Sequence, residues 1–110
     1  HLMRAERFLQ VWLEREGYRF DVATDDDLHR DPGLLRGYRA VVLNGHSEYW
    51  SLPMLRGLDE YLARDGNVAI FSGNSLFWRV SFDREMSVME CRKVDAPGDQ
   101  MKPHERGEAW

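Results

Sequence analysis

Two short apolar runs, Ala40-Val41-Val42-Leu43 and Val68-Ala69-Ile70-Phe71, separated by one helical pattern, constrain this chain more than anything else in it. Unalternating, β-branched runs of this kind suit strands of a parallel sheet that is buried on both faces. The stretch between them has the marks of a crossover helix. Ser51 can cap it, Pro53 is tolerated in its first turn, Leu55, Leu58 and Leu62 form an apolar stripe, and Gly66 closes it. Strand, helix and strand in that order imply a parallel pair with helices packed on the sheet. In such sheets ligands collect where loops leave the carboxyl ends of the strands. Here those loops are Asn44 to Trp50 and Ser72 to Phe77.

Upstream, Leu2, Ala5, Leu9, Trp12 and Leu13 fall near a 3.6-residue period that runs to Glu16, with Gly17 as the cap and Arg4, Glu6, Arg7, Glu14 and Arg15 on the wet side. Tyr18 to Thr24 alternates toward a short strand. Asp25-Asp26-Asp27 then supplies a cap and an acidic first turn for a short helix, which Pro32-Gly33 interrupts. Downstream, Leu76 to Phe82 and Ser87 to Arg92 predict short strands joined by a hairpin around Asp83-Arg84-Glu85. The chain opens inside a helical pattern and ends in a polar, turn-rich stretch. It reads as a fragment: an α/β domain over 1–94 whose first strand lies upstream, then a loop over 95–110 leading into a further part.

At 110 residues and 43% hydrophobic content, the chain can bury one modest core. A net charge of -4 argues against nucleic acid or an anionic membrane as partner. No run approaches the roughly 20 apolar residues of a spanning helix. Cys91 is the single cysteine, so there is no internal disulfide and no C-x-x-C pair for zinc. That usage fits a soluble protein of the reducing cytoplasm.

The loop after the first apolar run carries an imidazole and a carboxylate two residues apart. In extended chain, residues i and i+2 point to the same side, so His46 and Glu48 can converge on one metal ion, one water or one substrate atom. Asn74, from the second loop, joins them if the parent strands are neighbours. Ordinary explanations stand beside this one. His46 could be a surface histidine, and Glu48 could simply complement the dipole of the next helix. Convergence from two separate strand-end loops is what favours a site.

Tyr49 and Trp78 read as walls and anchors for a substrate, as do Trp50 and Phe77. Lys93 either places a charge near the site or is an exposed cation. Cys91, in a strand-like run, reads as a small buried hydrophobe, and Asp25 to Asp27 as a solvated acidic turn. A nucleophilic triad is disfavoured. The tip of the Ser72-Gly73-Asn74-Ser75 turn is Asn74, which cannot attack, and a His46 and Glu48 both facing the substrate would not stack in series behind Ser72 or Ser75.

Gly45-His46-Ser47-Glu48-Tyr49-Trp50-Ser51, followed by Ser72-Gly73-Asn74-Ser75-Leu76-Phe77-Trp78-Arg79-Val80, resembles the C-terminal region of the N,N-dimethylformamidase large (beta) subunit family. Trp12-Leu13-Glu14, Gly17-Tyr18 and Asp21 to Leu28 also follow that family's pattern, so the likeness spans about residues 5 to 93. The family's usual text is His-Pro-Glu-Tyr-Trp and Gly-Gly-Asn-Gly; Ser47, Ser72 and Ser75 depart from it. The resemblance implies a glutamine-amidotransferase-like (flavodoxin-like) three-layer α/β sandwich. It implies an amide hydrolase cleaving C–N bonds of small amides with a mononuclear iron held by two tyrosines and one glutamate. By position Glu48 is then the glutamate ligand, His46 a proton-handling group and Asn74 a contact to substrate or intermediate. The tyrosine ligands lie N-terminal to the matched stretch, so Tyr18, Tyr38 and Tyr49 are not assigned to them. The implied partners are a small amide, the remainder of the chain, and a small second subunit or further copies. Two other classes stay open: a catalytically silent binding module, and a docking domain using exposed Trp50, Trp78 and Trp110.

Overall fold

The computed structural model describes residues 2–92; Lys93, Trp110 and the 95–110 stretch lie outside the described residues. The elements run α1 (Leu2–Arg15), α2 (Asp25–Arg30), a 3-10 turn (Leu34–Gly37), β1 (Ala40–His46), β2 (Tyr49–Ser51), α3 (Leu52–Leu62), β3 (Asn67–Gly73), β4 (Trp78–Phe82) and β5 (Met89–Glu90). Among the described residues no helix is long and apolar enough to cross a membrane.

Local chemistry sets the boundaries. α1 stops in a Schellman turn: Gly17, at φ 75°, lets the Tyr18 N–H reach Leu13 O at 2.9 Å and its own N–H reach Glu14 O at 3.1 Å. The cap of α2 is Thr24, one residue before the expected aspartates. Its hydroxyl accepts the Asp27 N–H at 3.2 Å while the Asp27 carboxylate takes the Thr24 N–H at 2.8 Å. The same carboxylate also accepts the Thr24 hydroxyl at 2.7 Å, and the Thr24 N–H and hydroxyl together hold the Asp27 carboxyl below its ordinary value. Ser51 caps α3 as expected, with Pro53 in the first turn. In the β4–β5 hairpin the Asp83 carboxylate gathers the Ser87 N–H and hydroxyl, each at 2.7 Å, and the Val88 N–H at 3.2 Å.

Two sheets result. β1 and β3 pair in parallel from Ala40 opposite Asn67 to His46 opposite Gly73. β2 and β4 pair in parallel from Tyr49 opposite Trp78, and β5 adds to β4 antiparallel. The chain is therefore a small α/β domain with mixed sheets, its two expected strand-end loops leaving adjacent parallel strands.

The core lies on the α3 side of the β1–β3 pair. Leu28, Leu35, Trp50, Met54, Leu58 and Tyr61 form it, with Val41, Leu43, Val68 and Leu76 packed against it. The buried stripe of α3 is thus Met54, Leu58 and Tyr61, not Leu55, Leu58 and Leu62; Leu62 is exposed. Tyr61 can be buried because its hydroxyl is satisfied, donating toward Tyr38 O at 3.2 Å and accepting the Asn67 N–H at 3.2 Å. Gly66 leaves room for that ring, since a Cβ there would lie 2.3 Å from Tyr61 Cε1. The left-handed residue beyond α3 is Asp65, at φ 60°.

Two further expectations are corrected. Among the described residues the sheet is not covered on both faces: Val42, Ile70 and Phe71 are exposed. Tyr18 to Thr24 forms no strand and joins no ladder among the described residues; Tyr18 and Val22 are exposed.

Candidate active site

Asn44 to His46 still belong to β1, so only Ser47 and Glu48 separate it from β2. This tight turn is laced to the loop after β3 by backbone hydrogen bonds. Leu76 N–H donates to Ser47 O at 2.9 Å, and the Phe77 and Trp78 N–H groups share Glu48 O at 3.0 and 2.9 Å. From below, Trp50 Nε1–H bridges Ser47 O at 2.9 Å and Ser47 Oγ at 3.0 Å, with its ring 1% exposed. The turn is fixed from both sides.

On this platform His46 Nε2 lies 2.9 Å from Glu48 Oε2, the imidazole side chain 37% and the carboxylate side chain 13% exposed. The two residues meet each other directly. Alternation along extended chain puts both on one side, as the spacing requires, and there the carboxylate meets the ring itself, so the two do not simply face a shared substrate side by side. A carboxylate only accepts, so the His46 nitrogen facing it, Nε2, is the donor of this contact. Among the described residues neither Nδ1 nor Glu48 Oε1 has a hydrogen-bond partner.

The His46 ring also faces Tyr49, with centroids 5.8 Å apart, and Tyr49 is the register partner of Trp78 on β4. Trp78 is half-buried and meets Phe77 edge-on at 5.1 Å. His46, Glu48, Tyr49 and Trp78 therefore form one run of neighbours. Asn74 sits in the adjoining laced loop at φ 51°, exposed, its side-chain amide making no hydrogen bond among the described residues. Ser72 and Ser75 are engaged: Ser72 Oγ accepts the Ser47 N–H at 3.0 Å, and Ser75 Oγ donates to Ser72 O at 3.4 Å. Neither is poised as a nucleophile. Trp50, being buried, is not the exposed docking residue of the third sequence reading.

Among the described residues no three His, Cys, Asp or Glu groups are placed to hold a metal ion. The donor set fits a more limited role. Glu48 offers one hard oxygen, Oε1, while His46 holds the other oxygen of the same carboxylate. One ligand can come from here; a complete shell needs others.

The family model for the N,N-dimethylformamidase beta subunit-like C-terminal region matches residues 1–110. The chain belongs to this family. Among curated relatives, the N,N-dimethylformamidase beta subunit of Alcaligenes sp is 37% identical over 92 residues, covering 81% of this chain and 12% of that protein. The N,N-dimethylformamidase beta subunit of Paracoccus aminophilus is 36% identical over 91 residues, with the same 81% and 12% coverage. The chain thus spans about an eighth of the length of these relatives.

Against the dimethylformamidase-type text, two of the serine departures explain each other. A proline at 47 has no N–H to satisfy and a glycine at 72 has no hydroxyl to satisfy it; here Ser47 N–H and Ser72 Oγ bond to one another. Ser47 is buried, so the donor needs that acceptor.

Gly45 and Glu6 escaped the sequence reading. Gly45 adopts φ 79°, and a Cβ on it would lie 2.6 Å from Glu6 Cγ. The Glu6 side chain, expected on the wet side of α1, lies instead against the strand carrying His46, and Asn44 Nδ2 donates to Glu6 O at 3.2 Å. A glycine inside an apolar strand run was the available signal.

Proposed function

We propose that this chain is the part of a dimethylformamidase-type amide hydrolase that supplies one metal-ligating carboxylate and the proton-handling histidine, within a glutamine-amidotransferase-like (flavodoxin-like) sandwich. The observation that carries the proposal is the 2.9 Å contact of His46 with Glu48 at the carboxyl end of β1, inside the Gly45–Ser51 block. The names of the relatives supply the reaction class, hydrolysis of the C–N bond of a small amide.

In this reading Glu48 Oε1 is one ligand of a mononuclear iron whose other ligands come from the rest of the polypeptide. Such an ion, when bound, supplies Lewis acidity toward the amide carbonyl and its attacking water. The residues of this chain do the rest. Glu48 Oε2 fixes the tautomer of His46, as carboxylates that hold histidines commonly do. His46 Nδ1 takes the proton from the attacking water and returns it to the departing amine. The Asn74 amide, presented by the left-handed tip of its loop, donates to the developing oxyanion. Tyr49 and Trp78 bound the substrate, leaving a small amide with no need of a charged anchor. One cysteine in 110 residues fits a cytoplasmic subunit.

The test is made on the full-length protein. Glu48→Gln keeps the shape but removes the charge; the expected result is loss of bound iron by elemental analysis together with loss of amine release from simple amides. Full iron content in the variant removes Glu48 from the ligand set. His46→Ala should keep iron and lose about 10²–10⁴ in turnover, the usual contribution of a positioned acid–base group.

A further inference from the structure

We propose that the cleft at the amino ends of β1 and β3 binds a small oxyanion of the phosphate class, held by the guanidiniums of Arg39 and Arg64. This site is separate from the candidate active site, which stands at the other end of the same strands. β1 begins where Ala40 pairs with Asn67 and ends where His46 pairs with Gly73, and at about 3.3 Å per residue that run spans roughly 20 Å. The cleft holds about 320 Å³ and is lined by Arg36, Tyr38 and Arg39, by Tyr61, and by the turn from Arg64 to Asn67. That volume lies within the range of small-ligand sites.

Most polar groups of the cleft are already engaged with one another. The buried Tyr61 hydroxyl donates toward Tyr38 O and accepts the Asn67 N–H. Asn67 Nδ2 donates to Arg39 O at 3.0 Å, which ties the backbone of Arg39 to the start of β3. The Tyr38 hydroxyl donates to Asp21 at 2.9 Å, and Glu60 holds the Arg36 guanidinium. Two guanidiniums remain. Those of Arg39 and Arg64 have no ion pair or hydrogen bond among the described residues, and both residues are exposed. Arg39, fixed at its carbonyl, and Arg64, fixed by its N–H to Tyr61 O at 3.2 Å, thus carry free donors on a rigid frame.

Ordinary roles cover only part of this arrangement. Arg64 follows α3 and complements the negative end of its dipole, and Arg36 forms a surface ion pair. Neither role explains Arg39, placed beside them in a chain of net charge -4. Asp65 is the one carboxylate among the lining residues, against three arginines, so the cleft keeps a positive excess. A guanidinium is a planar fork of donors that matches the oxygens of a phosphate or carboxylate. Two forks at one cleft ask for more oxygens than a single carboxylate carries, which selects the phosphate class. A small neutral amide has no group for such a site, so the cleft serves a different ligand from the one proposed at His46 and Glu48.

Calorimetric titration of the full-length protein with pyrophosphate, at constant ionic strength, tests the site. Two charge-assisted contacts correspond to a Kd of about 1 mM or tighter, and saturable binding in that range is expected. Arg39→Gln and Arg64→Gln should each weaken it about tenfold. Arg84→Gln, on the exposed β4–β5 hairpin, should leave it unchanged. A second measurement needs no variant: pyrophosphate should protect Arg39 and Arg64 of the native protein from modification by phenylglyoxal, read by peptide mass, and leave Arg84 unprotected. Absence of saturable binding overturns the proposal. So does binding whose affinity and stoichiometry survive the Arg39→Gln, Arg64→Gln double variant, or binding that protects neither arginine, since the anion then sits elsewhere.

Discussion

The two faces of the β1–β3 pair are made by the same strands and finished very differently. Toward α3 the packing closes: Met54 is 0% and Trp50 1% exposed, and the Tyr61 and Ser51 hydroxyls both have partners. Toward α1 it stays open: Phe8, on the helix, is 74% exposed and Phe71, on the sheet, 62%. The candidate-site turn is fastened to the closed side through Trp50, and the end of β1 that leads into it meets α1 through Asn44 and Gly45. Precise placement of His46 and Glu48 is therefore a property of the part of the chain that is complete in itself. What the open side lacks is cover.

The largest expected effect contrasts the two sides with one kind of substitution. Trp50→Ala removes a buried ring and the donor that holds Ser47, and should cost about 3–5 kcal/mol. Phe8→Ala removes a mostly exposed ring and should stay within about 0.5 kcal/mol. Denaturant unfolding of the full-length protein reads both. A cost for Phe8→Ala near that of Trp50→Ala would mean that the Phe8 face of α1 is packed in the full-length protein, and would break the contrast between the two faces.

The same contrast separates what the sequence disclosed from what it concealed. Elements defined by neighbours in the chain were legible: the Gly17 stop, the Ser51 cap, both parallel strands and the Asp83 hairpin rest on local signals. The α3 stripe was misjudged by one position, since Leu55 and Leu62 outrank Met54 and Tyr61 in hydrophobicity, and only the partners of the Tyr61 hydroxyl make its burial affordable. Tyr18–Thr24 was misjudged because a strand needs a neighbour, and periodicity does not say which chain segment supplies it. At the site, the spacing of His46 and Glu48 foretold that they share a side. Their bond to each other, the Ser47–Ser72 link and the approach of Glu6 to Gly45 depend on tertiary placement, which no spacing encodes.

The Ser47–Ser72 link allows an intermediate test of how the closed side holds the turn. Ser72→Gly strips the acceptor from a buried N–H and should cost about 1–3 kcal/mol. Adding Ser47→Pro removes that donor as well, so the double variant should recover about 1 kcal/mol relative to the sum of the single changes. A double-mutant cycle with no coupling would show that the turn does not depend on this hydrogen bond and that Trp50 alone sets it.

The smallest effect is one of pH, and it too enters from the closed side. His29 Nδ1 lies 2.7 Å from the Ser51 hydroxyl, and its ring meets Phe82 edge-on at 4.7 Å. Burial, with the adjacent Arg30 charge, depresses its pKa from the ordinary 6.5, and Asp26 opposes them weakly. The folded chain thus releases this proton more readily than the unfolded chain. Its contribution to stability is complete above about pH 6.5, declines as pH falls from there through the depressed folded value, and is constant below it. The same histidine stands against the α3 cap, since the Ser51 hydroxyl that meets its Nδ1 also accepts the Met54 N–H. Calorimetric melting between pH 5 and 8 should show a modest fall in Tm on the acid side that His29→Gln lacks. Parallel pH profiles for the two proteins would place the titrating group elsewhere and leave the α3 cap independent of this histidine.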